Sequence, residues 1–322
     1  MTVPARSRSG EGKARIEYAI IVRGRTRLEM LVERFNTRSQ ARFYIERNGG
    51  DITDYEREHD AFHTALDEVQ RSLARTIKNK VVERAFLPSF IFSDNQVVIT
   101  IGQDGLLANA AKYVGGRPMI GVNPDPERYD GVLLPFSSAT CLSAVERVVA
   151  GTYAHRDASL AEARLNDGQR LLAFNDLFIG ISDHTSARYR IAFGAEEEEQ
   201  SSSGILVATR SGSTGWLSSV YNMANGLIRG PKEKARKAEG LGENELQFVV
   251  REPFQSQRSG IAVTTGRLKT GQELSITSLM PDKGVIFSDG IAADHLKFNS
   301  GAIATIGIGK EKVRLVLATA KA

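Results

Sequence analysis

The chain has 322 residues, which is long for a single hydrophobic core and predicts two domains. Hydrophobic residues make up 41% and charged residues 25%, as in globular proteins, and no apolar run approaches the roughly 18 residues that a membrane span needs. The net charge of +4 is modest, and no block of Lys and Arg is interleaved with aromatic residues. We therefore expect a soluble protein that binds small anionic molecules rather than a membrane or a nucleic acid.

The start of the chain and its cysteine content predict a protein of the cytoplasm. Residues 1–15 are basic and polar and lack the apolar stretch of a secretory signal, so we expect a flexible basic tail there. Cys141 is the only cysteine, so no internal disulfide can form, and its apolar neighbours indicate an ordinary buried residue. Nothing in this sequence directs export, and we expect a cytoplasmic location.

The first half of the chain alternates predicted strands with predicted helices. In order these are a strand over 16–22, helices over 26–35 and about 54–77, strands over 81–86 and 96–102, a glycine-containing loop with an Ala-rich helix over 104–114, and a strand over 118–123. This order is typical of an open parallel sheet, in which ligands bind at the carboxyl ends of the strands. Residues 16–137 are therefore predicted to form an α/β nucleotide-binding domain.

Beyond residue 137 the pattern changes to short β-rich segments separated by turn residues. After one helix-like segment over 141–151, the predicted strands cover 170–181, 187–194, 204–209, 246–250, 274–279, 284–290 and 302–309. Their spacing predicts a sandwich or stacked sheet within residues 138–322. The acidic run Glu196–Glu199 is expected to be a solvated hairpin tip rather than a metal site, and 230–245 a polar surface loop or short helix.

The turn between the strand over 96–102 and the following helix carries the residues best suited to chemistry. Gly102 and Gly105 bracket Asp104 there, and backbone N–H groups at the start of a helix can hold phosphate. A carboxylate at that place could take a proton from a hydroxyl group. The alternative is that Asp104 only caps the helix, a position that Asp often takes.

Three further segments carry polar or turn-forming residues next to predicted strands. Asn175 and Asp176 form a polar pair within a strand-like segment. The Ser/Thr/Gly cluster in 204–216 could offer hydroxyls and free amides to a ribose or a phosphate, although such residues also serve as ordinary helix caps. Asp289 and Gly290 predict a tight turn between two strands.

These segments, in this order over about residues 97–309, resemble the NAD kinase family. The hallmark of the family in the strand-to-helix turn is Gly-Gly-Asp-Gly with the Asp as the base, and this chain has Gly102, Gln103, Asp104 and Gly105. The next segment, IGVNPDPERYDGVL, looks like the mitochondrial-type branch of the family, which carries a similar Asn-x-Asp-Pro-Glu-Arg run. The corresponding residues are Asn123, Asp125 and Arg128.

The other matches lie in the second half of the chain. Asn175 matches the first residue of the family's Asn-Glu pair, and Asp176 stands in place of the usual Glu. Residues 204–216 resemble the family's Thr-Pro-Thr-Gly-Ser-Thr-Ala-Tyr run, which lines the NAD site. The matching residues are Thr209, Gly212, Ser213 and Thr214, and Trp216 replaces the Tyr. The turn at Asp289 resembles the family's late Asp-Gly hairpin.

The resemblance implies a Rossmann-like α/β domain with a parallel sheet, followed by a β-sandwich-type domain that binds NAD and forms a homodimer or homotetramer. It implies transfer of the terminal phosphoryl group of ATP, or of polyphosphate, to the 2′-hydroxyl of the adenosine ribose of NAD, with Mg²⁺ on the donor phosphates. Asp104 would be the base, beside phosphate-binding Gly102, Gln103 and Gly105. The NAD-binding residues would be Asn175, Asp176, Thr209, Gly212, Ser213, Thr214 and Trp216.

Departures from the family pattern leave two alternatives open. Gln103 stands where a glycine lets the backbone approach phosphate closely, and Leu106, Ser203, Arg210 and Ser211 also differ from the usual residues. The chain could therefore be a regulatory protein that binds NAD or NADP without activity. It could also be a kinase of another hydroxyl acceptor, such as a lipid.

His59 and His63 lie one turn apart on the predicted helix over 54–77 and would share a face of it. A metal-binding pair is an alternative to two ordinary surface histidines, but the sequence offers no nearby third ligand. No residue is therefore assigned as a metal ligand.

Overall fold

A computed structural model of the protein describes residues 15–228 and 240–318. The predicted basic tail, apart from its last residue, and most of the predicted loop at 230–245 lie outside the described residues. Within them, the strands form a ten-stranded mixed sheet and a six-stranded antiparallel sheet. The predicted combination of an α/β part with a β-sandwich part is confirmed.

The first part of the large sheet is parallel. Its strands are β1 (Tyr18–Arg23), β2 (Lys78–Glu83), β3 (Gln96–Ile101) and β4 (Pro118–Val122), which lie in the order β2-β1-β3-β4. The helices of this part are α1 (Arg27–Phe35), α2 (Arg38–Arg47), α3 (Ile52–Leu73), α4 (Asp104–Val114) and α5 (Ser138–Ala150). The carboxyl ends of β1 and β3 therefore lie side by side, at the edge of the sheet where ligands bind in such folds.

Helices cover both faces of this parallel sheet, which explains why its strands are almost continuously apolar. On one face, Val98 of β3 packs in a cluster with Leu107 and Ala111 of α4. On the other face, Ile99 packs in a cluster with side chains of α3 and α5, among them Cys141. Cys141 is buried and free, as the sequence predicts.

The rest of the described chain adds one helix and twelve strands. They are β5 (His155–Leu165), β6 (Arg170–Ala173), β7 (Asp176–Ile181), β8 (Ala187–Phe193), β9 (Glu196–Ser202), β10 (Ile205–Ala208), α6 (Trp216–Ile228), β11 (Glu245–Val250), β12 (Thr265–Lys269), β13 (Leu274–Ser278), β14 (Gly284–Ser288), β15 (Ile291–Lys297) and β16 (Ile303–Val316). The six-stranded sheet has the order β12-β11-β10-β7-β14-β15. Its inner face packs on the large sheet, and Ile179 of β7 shares a core cluster with Ile191 of β8 and Ile276 of β13.

The large sheet runs from the α/β part into the second half of the chain. Strand β16 pairs in parallel with β4 near its end and antiparallel with β13 near its start, while β5 pairs antiparallel along most of its length. The two halves of the chain therefore share one sheet. The domain boundary expected near residue 137 stays a prediction. No helix among the described residues is both long and apolar enough to cross a membrane.

The prediction of a single strand over 170–181 is wrong. The segment forms two strands in different sheets: β6 pairs with β5, whereas β7 pairs with β10 and β14. The chain turns at Phe174 and Asn175 because their N–H groups donate to the carboxylate of Asp289, 3.1 and 2.6 Å away, instead of to a neighbouring strand. Because apolar residues lie on both sides of this turn, the sequence pattern does not indicate it.

The prediction that the acidic run forms a hairpin tip is also wrong, because the run is the first part of β9 and pairs with β8, directly after the turn at 194–195. Glu196 and Glu197 are exposed, as expected. Alternate side chains of a strand point to opposite faces, so Gln200 and Ser202 are buried while Glu199 bonds to Arg190 of the neighbouring strand at 2.9 Å. The cross-strand charge pair makes the acidic sequence compatible with a sheet edge.

Other element boundaries also differ from the prediction. The strand expected over 81–86 ends at Glu83, and a 3₁₀ helix that contains Pro88 follows over Arg84–Ser89. Helix α2 and strands β5, β12 and β15 were not predicted. In β5, for example, the sequence HRDASLAEARL has few of the β-branched and aromatic residues that mark a strand, and pairing with β16 and β6 determines its conformation.

Candidate functional site

The strand-to-helix turn after β3 leaves backbone amides open at the start of α4. Gly102 has a φ of 155°, which residues with a side chain rarely adopt. Gln103 is the N-cap residue but makes no side-chain capping bond, so the amides of Asp104 and Gly105 keep their hydrogen-bonding capacity, whereas that of Leu106 donates to the carbonyl of Gln103 at 2.9 Å. Gly105 is exposed, and a side chain at this position would meet no atom within 4 Å. The turn can therefore hold an anion on its amides.

Asp104 is the first residue of α4, and its carboxylate binds a neighbouring loop. It accepts hydrogen bonds from the backbone N–H groups of Leu133 at 2.8 Å and Val132 at 3.2 Å. The alternative that Asp104 caps its own helix is wrong, because Gln103 occupies the cap position. The carboxylate is instead fixed in orientation by the loop between β4 and α5.

That loop is held in place by the residues that correspond to the Asn-x-Asp-Pro-Glu-Arg run. Asn123 is buried, accepts from the N–H of Asp125 at 3.0 Å and donates to the carbonyl of Tyr129 at 2.8 Å. Arg128 forms two 2.8 Å bonds to the carboxylate of Asp54 on α3, and this guanidinium holds the pKa of Asp54 well below its usual range. These contacts give Asn123 and Arg128 a structural role.

A cavity of about 740 Å³ opens between the turn and the segment that follows β1. Its wall includes Gly102, Gln103 and Gly105, whereas Asp104 lies behind it, against Val132 and Leu133. Arginines line the same cavity, namely Arg23, Arg25, Arg27 and Arg84. This concentration of cationic side chains next to a helix start suits a phosphate-bearing ligand.

The charges around the cavity are mostly paired with one another. Arg25 is paired with Glu33 and Glu83, and Arg27 with Glu58 and Asp54; all of these acids except Asp54 also line the wall. In the part of the chain that the structure describes, Arg84 forms no ion pair and the carboxylate of Asp125 has no hydrogen-bond partner. An anion could therefore bind to Arg84, and a cation to Asp125.

One polar side chain in the cavity wall is buried and incompletely bonded. The side chain of Asn109 donates from Nδ2 to the carbonyl of Gly105 at 2.8 Å, while its Oδ1 has no partner among residues 15–228 and 240–318. Asn109 is only 7% exposed. A buried acceptor without a partner costs free energy, which makes Asn109 an unusual member of the cavity wall.

A second group of predicted residues surrounds the turn between β14 and β15. Asp289 and Gly290 both have positive φ, so the predicted tight turn is confirmed. The carboxylate of Asp289 accepts from the N–H groups of Phe174, Asn175 and Asp176, at 3.1, 2.6 and 3.3 Å. Asp289 therefore holds the Asn175–Asp176 pair in place.

The segment after β10 packs directly on that pair. The hydroxyl of Thr209 donates to the carbonyl of Phe174 at 2.6 Å and accepts from the N–H of Gly212 at 3.2 Å. A Cβ atom at Gly212 would lie 2.1 Å from the carbonyl oxygen of Asn175, so only glycine fits there. Ser213 and Thr214 follow in a short 3₁₀ helix that leads to Trp216. The structure thus brings the predicted NAD-binding residues of both segments together.

Asp176 is a buried carboxyl group at this position. Burial, together with the nearby charge of Asp289, raises the pKa of Asp176 to about 7. Burial also raises the pKa of Asp289. Both carboxyl groups are therefore harder to ionise than an exposed Asp.

The aromatic residue expected near the dinucleotide already stacks within the protein. The ring of Trp216 lies parallel to that of Phe178, with the centroids 5.7 Å apart and an angle of 9° between the planes. The guanidinium of Arg251 lies 5.3 Å from the centroid of the Trp216 ring. Trp216 therefore anchors the start of α6.

Helix α4 connects the two groups of residues. Its first residue is Asp104, and Lys112, about 12 Å further along the helix axis, bonds through Nζ to Ser288 at 2.8 Å and to Asp294 at 3.0 Å. Among the described residues, no hydrogen bond joins Asp104 to the group around Asn175. Sequence reasoning missed Lys112, although a single lysine in an Ala-rich apolar helix was an available signal.

No protein-family model matches the chain. Curated proteins that it resembles include the NAD kinase of Chlorobaculum tepidum, with 31% identity over 140 residues covering 42% of this chain and 46% of that protein. The NAD kinase of Prosthecochloris aestuarii is 32% identical over 155 residues, 43% of this chain and 48% of that protein. A probable NADH kinase of Oryza sativa subsp. japonica is 25% identical over 226 residues, 63% and 65% of the two chains. The chain thus spans about half the length of the NAD kinases that it matches.

Solved structures are similar over nearly the whole chain. An NAD kinase from Archaeoglobus fulgidus in complex with ATP matches with a TM-score of 0.57 at 13% identity, covering 94% of both chains. The yeast NADH kinase complexed with NADH matches with a TM-score of 0.59 at 12% identity, covering 95% of this chain and 85% of that one. At such identities these structures show the fold alone. The shared fold and the sequence matches together support the NAD kinase family for this chain.

Proposed function

We propose that the protein is an NAD kinase, which transfers the terminal phosphoryl group of ATP, or of polyphosphate, to the 2′-hydroxyl of the adenosine ribose of NAD and gives NADP. The observation that carries this proposal is the open start of α4, with Gly102 and Gly105 facing an arginine-lined cavity and the Asp104 carboxylate fixed beside it. The names of the similar proteins point to the same reaction class.

The phosphoryl donor would bind in the cavity. Amides of Asp104 and Gly105 would hold its phosphates, with Gly102 in the adjacent wall, where its own N–H donates to the carbonyl of Val122 at 3.3 Å. Arg84, which has no ion pair among the described residues, would neutralise part of their charge. Gln103 is exposed on the same wall, so its side chain can move aside or contact the phosphates. Phosphoryl transfer depends mainly on this kind of positioning and charge neutralisation.

Asp104 would act as the base. Its two oxygens each accept one backbone N–H, and an ionised carboxylate has about four lone-pair positions, so one oxygen can also accept from a ribose hydroxyl. As the 2′-oxygen forms its bond to the γ-phosphorus, the bond from that phosphorus to the bridging oxygen of ADP breaks. The hydroxyl proton passes to Asp104.

Mg²⁺ bound with ATP would neutralise charge on the donor phosphates. Asp125 suits it, because its carboxylate lines the cavity and has no hydrogen-bond partner within the described chain. The neighbouring carboxylates of Glu33, Glu58 and Glu83 are already paired with arginines.

NAD would bind at the second group of residues. These are Asn175, Asp176, Thr209, Gly212, Ser213, Thr214 and Trp216. A carboxyl group with a pKa of about 7, such as that of Asp176, is partly protonated at neutral pH and can both donate and accept a hydrogen bond. The family resemblance further supports a cytoplasmic homodimer or homotetramer and a likeness to the mitochondrial-type branch.

One observation favours a second function, the binding of NAD or NADP without catalysis. Asp104 lies behind the cavity wall, bonded to Val132 and Leu133, and Gln103 occupies the wall in front of it. If this arrangement persists when substrates bind, the carboxylate does not reach the ribose hydroxyl.

The test is to incubate the purified protein with NAD, Mg²⁺ and ATP labelled in its γ-phosphoryl group, and to measure NAD binding in parallel by calorimetry. We expect label in the 2′-phosphate of NADP. NAD binding without labelled NADP would instead establish the regulatory function, and absence of both would contradict the two proposals.

A further inference from the structure

Two histidines of α3 and one glutamate of α1 form a compact cluster. The rings of His59 and His63 lie with their centroids 4.3 Å apart. Glu29 comes from α1, and one ligand atom from each of the three side chains lies within 4.8 Å of the other two. The sequence predicts the histidine pair but not Glu29, because the third residue is 30 positions away from His59 and meets it only through the packing of α1 on α3.

The glutamate is already oriented towards the histidines. Oε2 of Glu29 accepts from the backbone N–H of Thr26 at 2.8 Å and pairs with the guanidinium of Arg23. Its other oxygen, Oε1, lies 3.0 Å from Nε2 of His63. His59 is held as well, since its Nδ1 lies 2.9 Å from the hydroxyl of Thr26. Bonds of this kind, made by the far side of a ligand, fix metal-binding side chains in position.

We propose that Glu29, His59 and His63 bind a divalent transition-metal ion of the zinc class. Two imidazoles and one carboxylate are a ligand set that suits Zn²⁺ and its neighbours in the first transition row. Two ligands about 2.1 Å from a tetrahedral ion lie about 3.4 Å apart, close to the 3.0 Å between Oε1 of Glu29 and Nε2 of His63.

A metal ion bound to this cluster would affect the wall of the arginine-lined cavity. Arg23 and Thr26, which bond to Glu29 and His59, also line the arginine-rich cavity. An ion between α1 and α3 would therefore fix the segment after β1 that forms one wall of that cavity. This inference does not depend on the proposed kinase activity.

The test is a titration of the metal-free full chain with Zn²⁺ by calorimetry, and with Co²⁺ by visible absorption. We expect one ion per chain and a Co²⁺ spectrum typical of nitrogen and oxygen ligands. His59→Gln and His63→Gln should each weaken Zn²⁺ binding by at least about 100-fold, since loss even of a residue that only supports a ligand costs 10 to 100-fold. The control is His184→Gln, an exposed histidine in another part of the chain, which should bind Zn²⁺ as the wild type does.

A third variant keeps the test decisive if a histidine variant is unstable. Glu29→Gln retains an oxygen that can accept from the N–H of Thr26, so the cap of α1 is preserved while the charged ligand is lost. Zn²⁺ should also raise the melting temperature of the wild type but not of Glu29→Gln. Wild-type protein that binds no Zn²⁺, or variants that bind it as tightly as the wild type, would overturn the proposal.

Discussion

At the scale of single residues, the amide of Asn109 has a fixed orientation that matters for recognition. Its Nδ2 donates to the carbonyl of Gly105, so a flipped amide would place two acceptor oxygens against each other. Asn109 lines the cavity, and its buried Oδ1 is an unused acceptor beside the cavity wall. Under the proposed function, an adjustment of this wall on nucleotide binding would bring that acceptor to an amino or hydroxyl group of the donor nucleotide.

The first prediction is that Asn109→Leu weakens ATP binding without lowering the stability of the fold. Leucine has a similar size and removes the unbonded acceptor, so the free energy of unfolding should stay the same or rise by about 1 kcal/mol, while the affinity for ATP falls about tenfold. Urea unfolding and calorimetry with ATP and Mg²⁺ measure the two quantities. Thr100→Val is the matched control, because Thr100 has an unbonded buried hydroxyl outside the cavity wall. Equal ATP affinity in both variants would count against this role for Asn109.

The buried carboxyl of Asp176 should make stability depend on pH. Its pKa is raised from 3.8 to about 7, so between these values the native state binds a proton that the unfolded state has lost. The stability contributed by the protonated group is complete below pH of about 4 and is lost as the pH rises through about 7.

The second prediction follows for Asp176→Asn, which cannot ionise. The free energy of unfolding of this variant, relative to that of the wild type, should increase as the pH rises from about 4 to about 7. Urea unfolding at several pH values measures the difference. Asp282→Asn, which changes an exposed carboxylate, is the control and should follow the wild type. A constant difference between Asp176→Asn and the wild type across this range would show that Asp176 does not keep its proton.

At the scale of elements, the contact between the segment after β10 and the turn after β6 requires glycine at position 212. The third prediction is that Gly212→Ala lowers the free energy of unfolding by about 2 kcal/mol, because its Cβ would lie 2.1 Å from the carbonyl oxygen of Asn175. The variant should also bind NAD more weakly. Urea unfolding and calorimetry measure both effects.

Gly226→Ala is the control for this substitution. Gly226 lies inside α6, and a Cβ there would meet no atom within 4 Å. Within a helix, alanine is more favourable than glycine by about 1 kcal/mol, so this variant should be at least as stable as the wild type. If the two variants unfold alike, the close contact at Gly212 has no energetic importance.

Elements with a strong local signal could be predicted from the sequence. The apolar run of β3 and the regular spacing in α3 and α4 gave those elements nearly their observed bounds. Strand β9 could not be recognised, because pairing with β8 and the charge of Arg190 stabilise an acidic strand that has little β propensity of its own. The break between β6 and β7 depends on the distant carboxylate of Asp289, which no local pattern reveals.

The same distinction holds for the candidate site. The turn with Asp104 was found because its glycines and acid are adjacent in the sequence. Arg84, Asn109 and Lys112 were missed, because each depends on tertiary packing: Arg84 lines the cavity from the 3₁₀ helix after β2, and Lys112 bonds to residues more than 170 positions away. Their roles become visible only when the chain is folded.

At the scale of the whole molecule, one sheet and one helix join the two halves of the proposed site. Strand β16 pairs with β4 in the α/β part and with β5 and β13 in the second half. Helix α4 presents Asp104 at its start and anchors Lys112 to Ser288, next to the turn that holds Asn175 and Asp176. The phosphoryl donor and its acceptor would thus be positioned by a shared framework.

The proposed role of Asp104 as the base of an NAD kinase is tested by the rate of NADP formation by the wild type, Asp104→Asn and Asp130→Asn. Asp130 is an exposed acid in the same loop as Val132 and Leu133, so its variant controls for loss of charge. We predict that Asp104→Asn lowers kcat by at least about 100-fold with the fold and NAD binding retained, although the melting temperature should fall somewhat, since Asn can accept only one of the two loop N–H groups. Asp130→Asn should behave as the wild type. A folded Asp104→Asn protein that forms NADP at the wild-type rate would show that Asp104 is not the base.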